Sequence, residues 1–176
     1  ACPPAWSEHA VGELAQVVGG ATPDRLDASY WIGGTFLWAT PTDITGCAGN
    51  KWLRDTAEKI TPKGLAECST CLLPPGTILY TSRATIGAKA IATQPTATNQ
   101  GFANFIAKPG VNADFLYYLL DALTPVFIRL GAGTTFLEVT KRDIRKVRCF
   151  VPPSAEQAAI ARILDAADAA IARTRT

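Results

Sequence analysis

The sequence predicts a mixed α/β fold: a globular domain of mixed or antiparallel sheet and short helices over residues 1–152, then an amphipathic helix over residues 153–176. Three observations predict it. Short β-prone runs alternate with turns rich in Pro and Gly. Thr residues stand as N-caps before short helical patterns. The last segment carries an apolar stripe at helical spacing. Hydrophobic residues make up 48% of the chain and charged residues 18%, which supplies a core and argues against global disorder.

The elements follow in order. Leu14, Val17 and Val18 mark a short helix or a strand entry, stopped by Gly19-Gly20-Ala21-Thr22-Pro23. Residues 36–40 form a short aromatic strand, and residues 43–50, with Gly46, Gly49 and Asn50, a loop. Thr61-Pro62 opens a capped helical turn. After the turn Pro74-Pro75-Gly76, residues 77–81 form a strand and residues 87–92 its antiparallel partner, joined through Arg83. Residues 102–107 form another strand. Phe115, Leu116, Leu119 and Leu120 give a helix over residues 114–123. Thr124-Pro125 restarts a second turn, ended by Gly131-Ala132-Gly133. Thr140 caps a short helix to Lys146, and residues 147–151 form a strand closed by Pro152-Pro153. Ser154 and Gln157 have the spacing of a capping box for the final helix. Trp31, Trp38 and Phe136 are expected in the core, where buried aromatics dominate.

Composition excludes several function classes. No apolar run approaches the roughly 20 residues that span a bilayer. The opening, with Pro3, Pro4, Glu8 and His9, has no basic end followed by an apolar stretch, so a cytoplasmic protein without a membrane partner is expected. A formal net charge of +2 means that any nucleic-acid contact must come from local patches. Two clusters stand out: Lys51, Arg54, Lys59 and Lys63, and Lys141, Arg142, Arg145, Lys146 and Arg148.

Catalytic constellations are not found. The one histidine, His9, sits in a polar stretch. There is no phosphate loop, Rossmann fingerprint or nucleophile elbow. Gly131-Ala132-Gly133-Thr134-Thr135 lacks the lysine that a phosphate loop needs. Cys2, Cys47, Cys68, Cys71 and Cys149 are odd in number and scattered, which speaks against a disulfide framework. Cys68 and Cys71 have the spacing of a zinc or redox pair, but a structural zinc site wants four ligands. No cofactor and no metal are expected.

Several loops carry donors that suit DNA. Arg reads guanine and Asn or Gln reads adenine in the major groove, while hydroxyls suit phosphates. Thr81-Ser82-Arg83-Ala84-Thr85 follows a strand, and Asn99-Gln100 precedes one. The contact candidates are therefore Ser82, Arg83, Thr85, Asn99 and Gln100, with Thr22 and Lys89. Lys51, Arg54, Lys59 and Lys63 are the expected phosphate contacts.

Taken in order, the landmarks resemble the specificity subunits of Type I restriction–modification systems. They are Gly20-Ala21-Thr22-Pro23, Tyr30-Trp31, Trp38-Ala39-Thr40-Pro41, Gly64-Leu65, Pro75-Gly76-Thr77-Ile78-Leu79, Arg83-Ala84-Thr85-Ile86-Gly87, Asn99-Gln100-Gly101-Phe102, Gly133-Thr134-Thr135-Phe136 and Val151-Pro152-Pro153 with Glu156-Gln157. The resemblance implies a DNA target-recognition domain over 1–152 and the start of a spacer and dimerisation helix over 153–176. It also implies a non-catalytic subunit that reads a split site on double-stranded DNA. Such a subunit docks methyltransferase (modification) subunits and, through them, the motor–nuclease restriction subunit. The family's whole subunit has two such domains; this sequence carries one. A natural half-subunit that forms a homodimer through Ile160, Ile163, Leu164, Ala167 and Ile171, and a fragment of a longer subunit, both stand open. A structural module whose helix chiefly assembles partners, with degenerate DNA contacts, is the alternative from another class; a thiol enzyme using Cys68 and Cys71 is the third.

Overall fold

A computed structural model describes residues 3, 5–47, 50–132 and 137–174. Residues 133–136 lie outside these, so Phe136 and its landmark are not placed.

The core is a five-stranded sheet in the order β2 (Ala15–Val18), β9 (Phe102–Ala107), β6 (Ile78–Thr81), β7 (Lys89–Ala92), β4 (Trp52–Leu53). All its pairs are antiparallel except β7 with β4. Side chains alternate between faces of a strand, and β6 shows both faces buried. Ile78 and Tyr80 join one core with Val17, Ile91 and Phe105, while Leu79 joins another with Ala39, Ile44 and Phe102. This explains the unbroken run of apolar and hydroxyl residues from Thr77 to Thr81, which a one-sided strand would not show.

The first face is covered by α4 (Ala113–Gly131), which buries Phe115, Leu116, Leu120, Leu123 and Phe127, and by α5 (Lys141–Lys146), which buries Ile144. The second face meets a three-stranded sheet, β5 (Glu58–Ile60), β3 (Phe36–Ala39) and β8 (Thr96–Thr98). There Trp38 is buried with Ile60 and Ala97, and Trp31 packs edge-on against it with ring centroids 5.0 Å apart. A two-stranded ribbon, β1 (Ser7–Ala10) with β10 (Arg148–Val151), joins the start of the chain to the segment before α6 (Ser154–Thr174). One helical turn, α1 (Val11–Leu14), separates β1 from β2, so the opening contains both the helix and the strand that its pattern left open.

Three expectations need correction. Residues 43–50 are not all loop. Thr40 and Asp43 form a capping box around Pro41, and α2 (Pro41–Gly46) results. The helix continues through Thr124-Pro125, where the sequence predicts a break, and α4 carries Pro125 inside it. Pro125 removes one backbone donor. It is tolerated on the exposed face, and Thr124 Oγ1 donates to the Leu120 carbonyl at 2.7 Å beside it. Gln157 does not complete a capping box at Ser154. It is buried, accepts from Asn112 N at 2.9 Å and donates to the Pro152 carbonyl at 3.0 Å, tying α6 to the start of α4. The caps at Asn112, Thr61, whose helix is α3 (Pro62–Glu67), and Thr140 are made, each side chain accepting from the N–H three residues on.

Candidate nucleic-acid interface

Topology gathers distant segments at one edge of the molecule. β3 and β8 run parallel, so Thr40-Pro41 and Asn99-Gln100 emerge at the same end. β6 ends there too, because Thr81 stands opposite Phe102, the first residue of β9. Pro41, Arg83, Ala84, Asn99, Gln100 and Gly101 line a shallow recess.

The Arg83 side of the recess is held by the backbone around it. Ser82 N donates to the Gly101 carbonyl at 2.8 Å, and Ala84 N donates to the Leu137 carbonyl at 2.9 Å. Arg83 is thus fixed at its main chain while its side chain is 44% exposed, with Nε 3.9 Å from Glu138. That separation is beyond hydrogen-bond range, and an exposed pair of this kind contributes little. Ala84 has φ of 61°, a left-handed conformation that costs a non-glycine residue roughly 1–2 kcal/mol. Such strain gathers at functional sites.

Asn99 Oδ1 accepts from Gly101 N at 2.9 Å and shapes the turn. Gln100 Oε1 accepts from Thr22 Oγ1 at 2.5 Å. Both amides have spent their acceptor on the protein, and the NH₂ donors are left for a ligand. Thr22 reaches the rim because Trp38 Nε1 donates to the Ala21 carbonyl at 3.1 Å and Ala21 N donates to the Thr98 carbonyl at 3.0 Å. Gly20 is required for this approach, since a Cβ there would lie 2.0 Å from the Thr98 carbonyl oxygen. Thr85 is exposed on the same loop as Arg83. The site is therefore made of donors, with one guanidinium among them.

Other predicted residues are not brought to this recess. Ser82 is buried and turns its Oγ toward the Gly101 carbonyl at 3.3 Å, because side chains alternate along the strand end. It holds the turn and does not face solvent. Lys89 lies under α4, 2.5 Å from Asp121 and 3.9 Å from the Tyr117 ring centroid. Lys51 is only 10% exposed and sits 2.6 Å from both Asp114 and Asp165. Tyr118 OH donates to the same Asp165 carboxylate at 2.7 Å. Burial works to raise the Asp165 pKa, but the hydrogen bonds from Lys51 and Tyr118 outweigh it and hold the carboxyl below its usual range.

Lys63 donates to Ser29 Oγ at 2.9 Å, in the single 3-10 turn Ala28–Tyr30 before Trp31. Arg54 and Lys59 line a separate groove with Phe36 and Gln94. This groove lies at the opposite ends of β3 and β8, about 13–16 Å from the recess by strand rise. Sequence grouped these four cations; the fold keeps Arg54 and Lys59 together and separates Lys51 and Lys63 from them.

Cys68 and Cys71 carry free thiols, and partial burial pushes the Cys71 thiol above its usual value, the reverse of what a nucleophile needs. Among the described residues no cluster of three or more His, Cys, Asp or Glu side chains is gathered for a metal. Nor is any described helix long and apolar enough to cross a membrane.

A family model described as the Type I restriction modification DNA specificity domain matches residues 3–176. The chain belongs to this family. Among Type I specificity relatives, it is 38% identical over 164 residues to the Type I restriction enzyme MjaIX specificity subunit of Methanocaldococcus jannaschii, covering 92% of this chain and 38% of that one. It is 27% identical over 165 residues to the EcoR124I/EcoR124II specificity subunit of Escherichia coli, covering 90% of this chain and 40% of that one. The HsdS subunit from Thermoanaerobacter tengcongensis shares the fold at a TM-score of 0.73 and 23% identity, over 100% of this chain and 41% of that one. The Type I S subunit from M. genitalium does so at 0.62 and 16%, over 92% and 38%. The Type I specificity domain seen here thus spans about two fifths of the length of the relatives it matches.

Proposed function

We propose that this Type I specificity domain is a non-catalytic module that reads a base sequence in double-stranded DNA. The observation that carries the reading is the recess where Arg83, Asn99 and Gln100 converge from separate strand ends with unspent donors. Arg83 presents the fork that suits guanine O6 and N7. The amide NH₂ groups suit base acceptors or phosphate oxygens. Thr22 and Thr85 flank them, and Arg54, Lys59 and Lys63 serve at most as outlying phosphate contacts. In this reading the chain contributes specificity, while methylation and cleavage belong to methyltransferase subunits and, through them, a restriction subunit. The site is in the cytoplasm, where such a complex meets DNA. The exposed face of α6, with Ile163 and Ile171, is the docking surface for those partners or for a second copy.

Selection from a random-sequence duplex library, followed by sequencing of the bound fraction, tests the reading. A defined motif is expected, and it should lose definition at one position when Arg83 is replaced by Ala. Retention without any enriched motif would replace this reading with that of an assembly module whose DNA contacts are degenerate.

A further inference from the structure

The recess contains one cation among its lining residues, and the basic cluster that sequence assigned to phosphate is split between a separate groove and internal pairs. A reader of duplex DNA needs phosphate contacts to set its register, since they supply much of the affinity. Four members of the second basic cluster, Lys141, Arg142, Arg145 and Lys146, lie on α5, and Arg148 lies on β10. The Lys141 end of α5 meets the same rim.

The backbone brings it there. Val139 N donates to the Ser82 carbonyl at 3.0 Å, and Arg83 bridges Glu138, so the strand-like segment before α5 lies directly beside the Arg83 loop. α5 then starts against the Gly19-Gly20 segment. The Lys141 ammonium lies 2.7 Å from where a Cβ on Gly19 would stand. Three residues further on, Thr22 bonds Gln100. The rim therefore runs from Arg83 through Lys141 and Gly19 to Thr22 and Gln100. Lys141 is exposed and has no ion-pair or hydrogen-bond partner among the described residues, and Arg142 beside it is also exposed. Arg145 is spent on the Val17 carbonyl and holds α5 to β2.

We infer that Lys141 is the phosphate contact that sets the register of this domain on DNA. The inference rests on the proposed DNA-reading function. A lysine ammonium is a hydrated point charge, suited to a phosphate and unsuited to the bidentate reading of a base edge. Lys141 therefore contributes to all sequences alike.

The test measures duplex binding by the full chain across a salt series, using a short random-sequence duplex. Lys141→Gln is compared with Lys146→Gln, an equal charge change at the other end of α5. The expected result is a log affinity against log salt slope shallower by about 0.9 for Lys141→Gln, no change for Lys146→Gln, and parental melting for both. Slopes that are unchanged, or equally changed in both variants, would overturn the Lys141 assignment while leaving DNA binding in place. A parent chain without salt-dependent duplex binding would overturn the DNA-reading function and this inference together. A lower Tm for Lys141→Gln would reassign the residue to structure.

Discussion

Arg83 owes its place to neighbours on either side and not to its own side chain. Ser82 and Ala84 fasten the main chain to Gly101 and Leu137, and Gly87 closes the loop at φ of 112°, against Thr124 of α4. The left-handed Ala84 between them is tolerated because these bonds over-determine it. Replacement of Arg83 by Ala removes no buried contact, so its melting should match the parent. Loss of a bidentate guanine contact should cost about 1–3 kcal/mol of binding to the selected duplex. It should cost much less on random duplex, where the contact is not made. Fluorescence anisotropy on both duplexes at one moderate salt concentration checks this. Equal losses on the two would make Arg83 a phosphate contact, and no loss would remove it from the interface.

Among the elements, local chemistry was legible and long-range commitment was not. Strands β6, β7 and β9 and helices α5 and α6 follow from turns, caps and periodicity, all of which act over a few residues. Gly46 and Gly49 point to a loop, whereas the Thr40–Asp43 capping box starts α2. Pro125 predicts a break because its ring clashes with the preceding turn, whereas the tertiary packing of Leu123 and Phe127 carries α4 through it. The pairing of Lys51 with Asp165 spans 114 positions, and no local pattern announces it. With Asp114 of α4 and Tyr118 it is one of the contacts that fix α6 on the domain, beside Gln157 and Ala161. Removing it by Asp165→Asn should lower stability at neutral pH by about 1–2 kcal/mol, between the values for exposed and buried pairs. The sign with pH follows from the lowered carboxyl pKa. The stabilisation is complete above the unfolded value of about 3.9 and is lost as pH falls through the folded one. Urea midpoints of parent and variant should therefore differ at pH 7 and converge below about pH 4. A gap independent of pH would show that the carboxylate charge is not what anchors α6.

At the scale of the whole molecule, the apolar stripe of α6 divides between two duties. Ile160 packs on the core of the domain and Leu164 is half-buried, whereas Ile163 is 69% exposed and Ile171 48% exposed. Of the four large apolar side chains in the stripe, Ile163 and Ile171 are the two exposed enough to meet a partner helix. Burying two isoleucines contributes roughly 3–6 kcal/mol per copy at most, at about 1.5–3 kcal/mol for each side chain. Association costs an estimated 4–15 kcal/mol in lost freedom. The alanines at positions 166, 167, 169 and 170 allow close approach, but the balance for two copies alone is near zero. An antiparallel pair of these helices would relate two domains by a two-fold axis. With about 31 Å of helix between them, half-sites would lie within roughly one turn of DNA. The expected behaviour is a monomer at low micromolar concentration that self-associates only at high concentration. Ile163→Asp should abolish that association without changing melting, because Ile163 faces solvent. Sedimentation equilibrium over a concentration series measures both. Self-association that survives Ile163→Asp would place the contact elsewhere. A parent that stays monomeric throughout, together with a selected DNA motif that is not a palindrome, would leave the α6 face to a different partner.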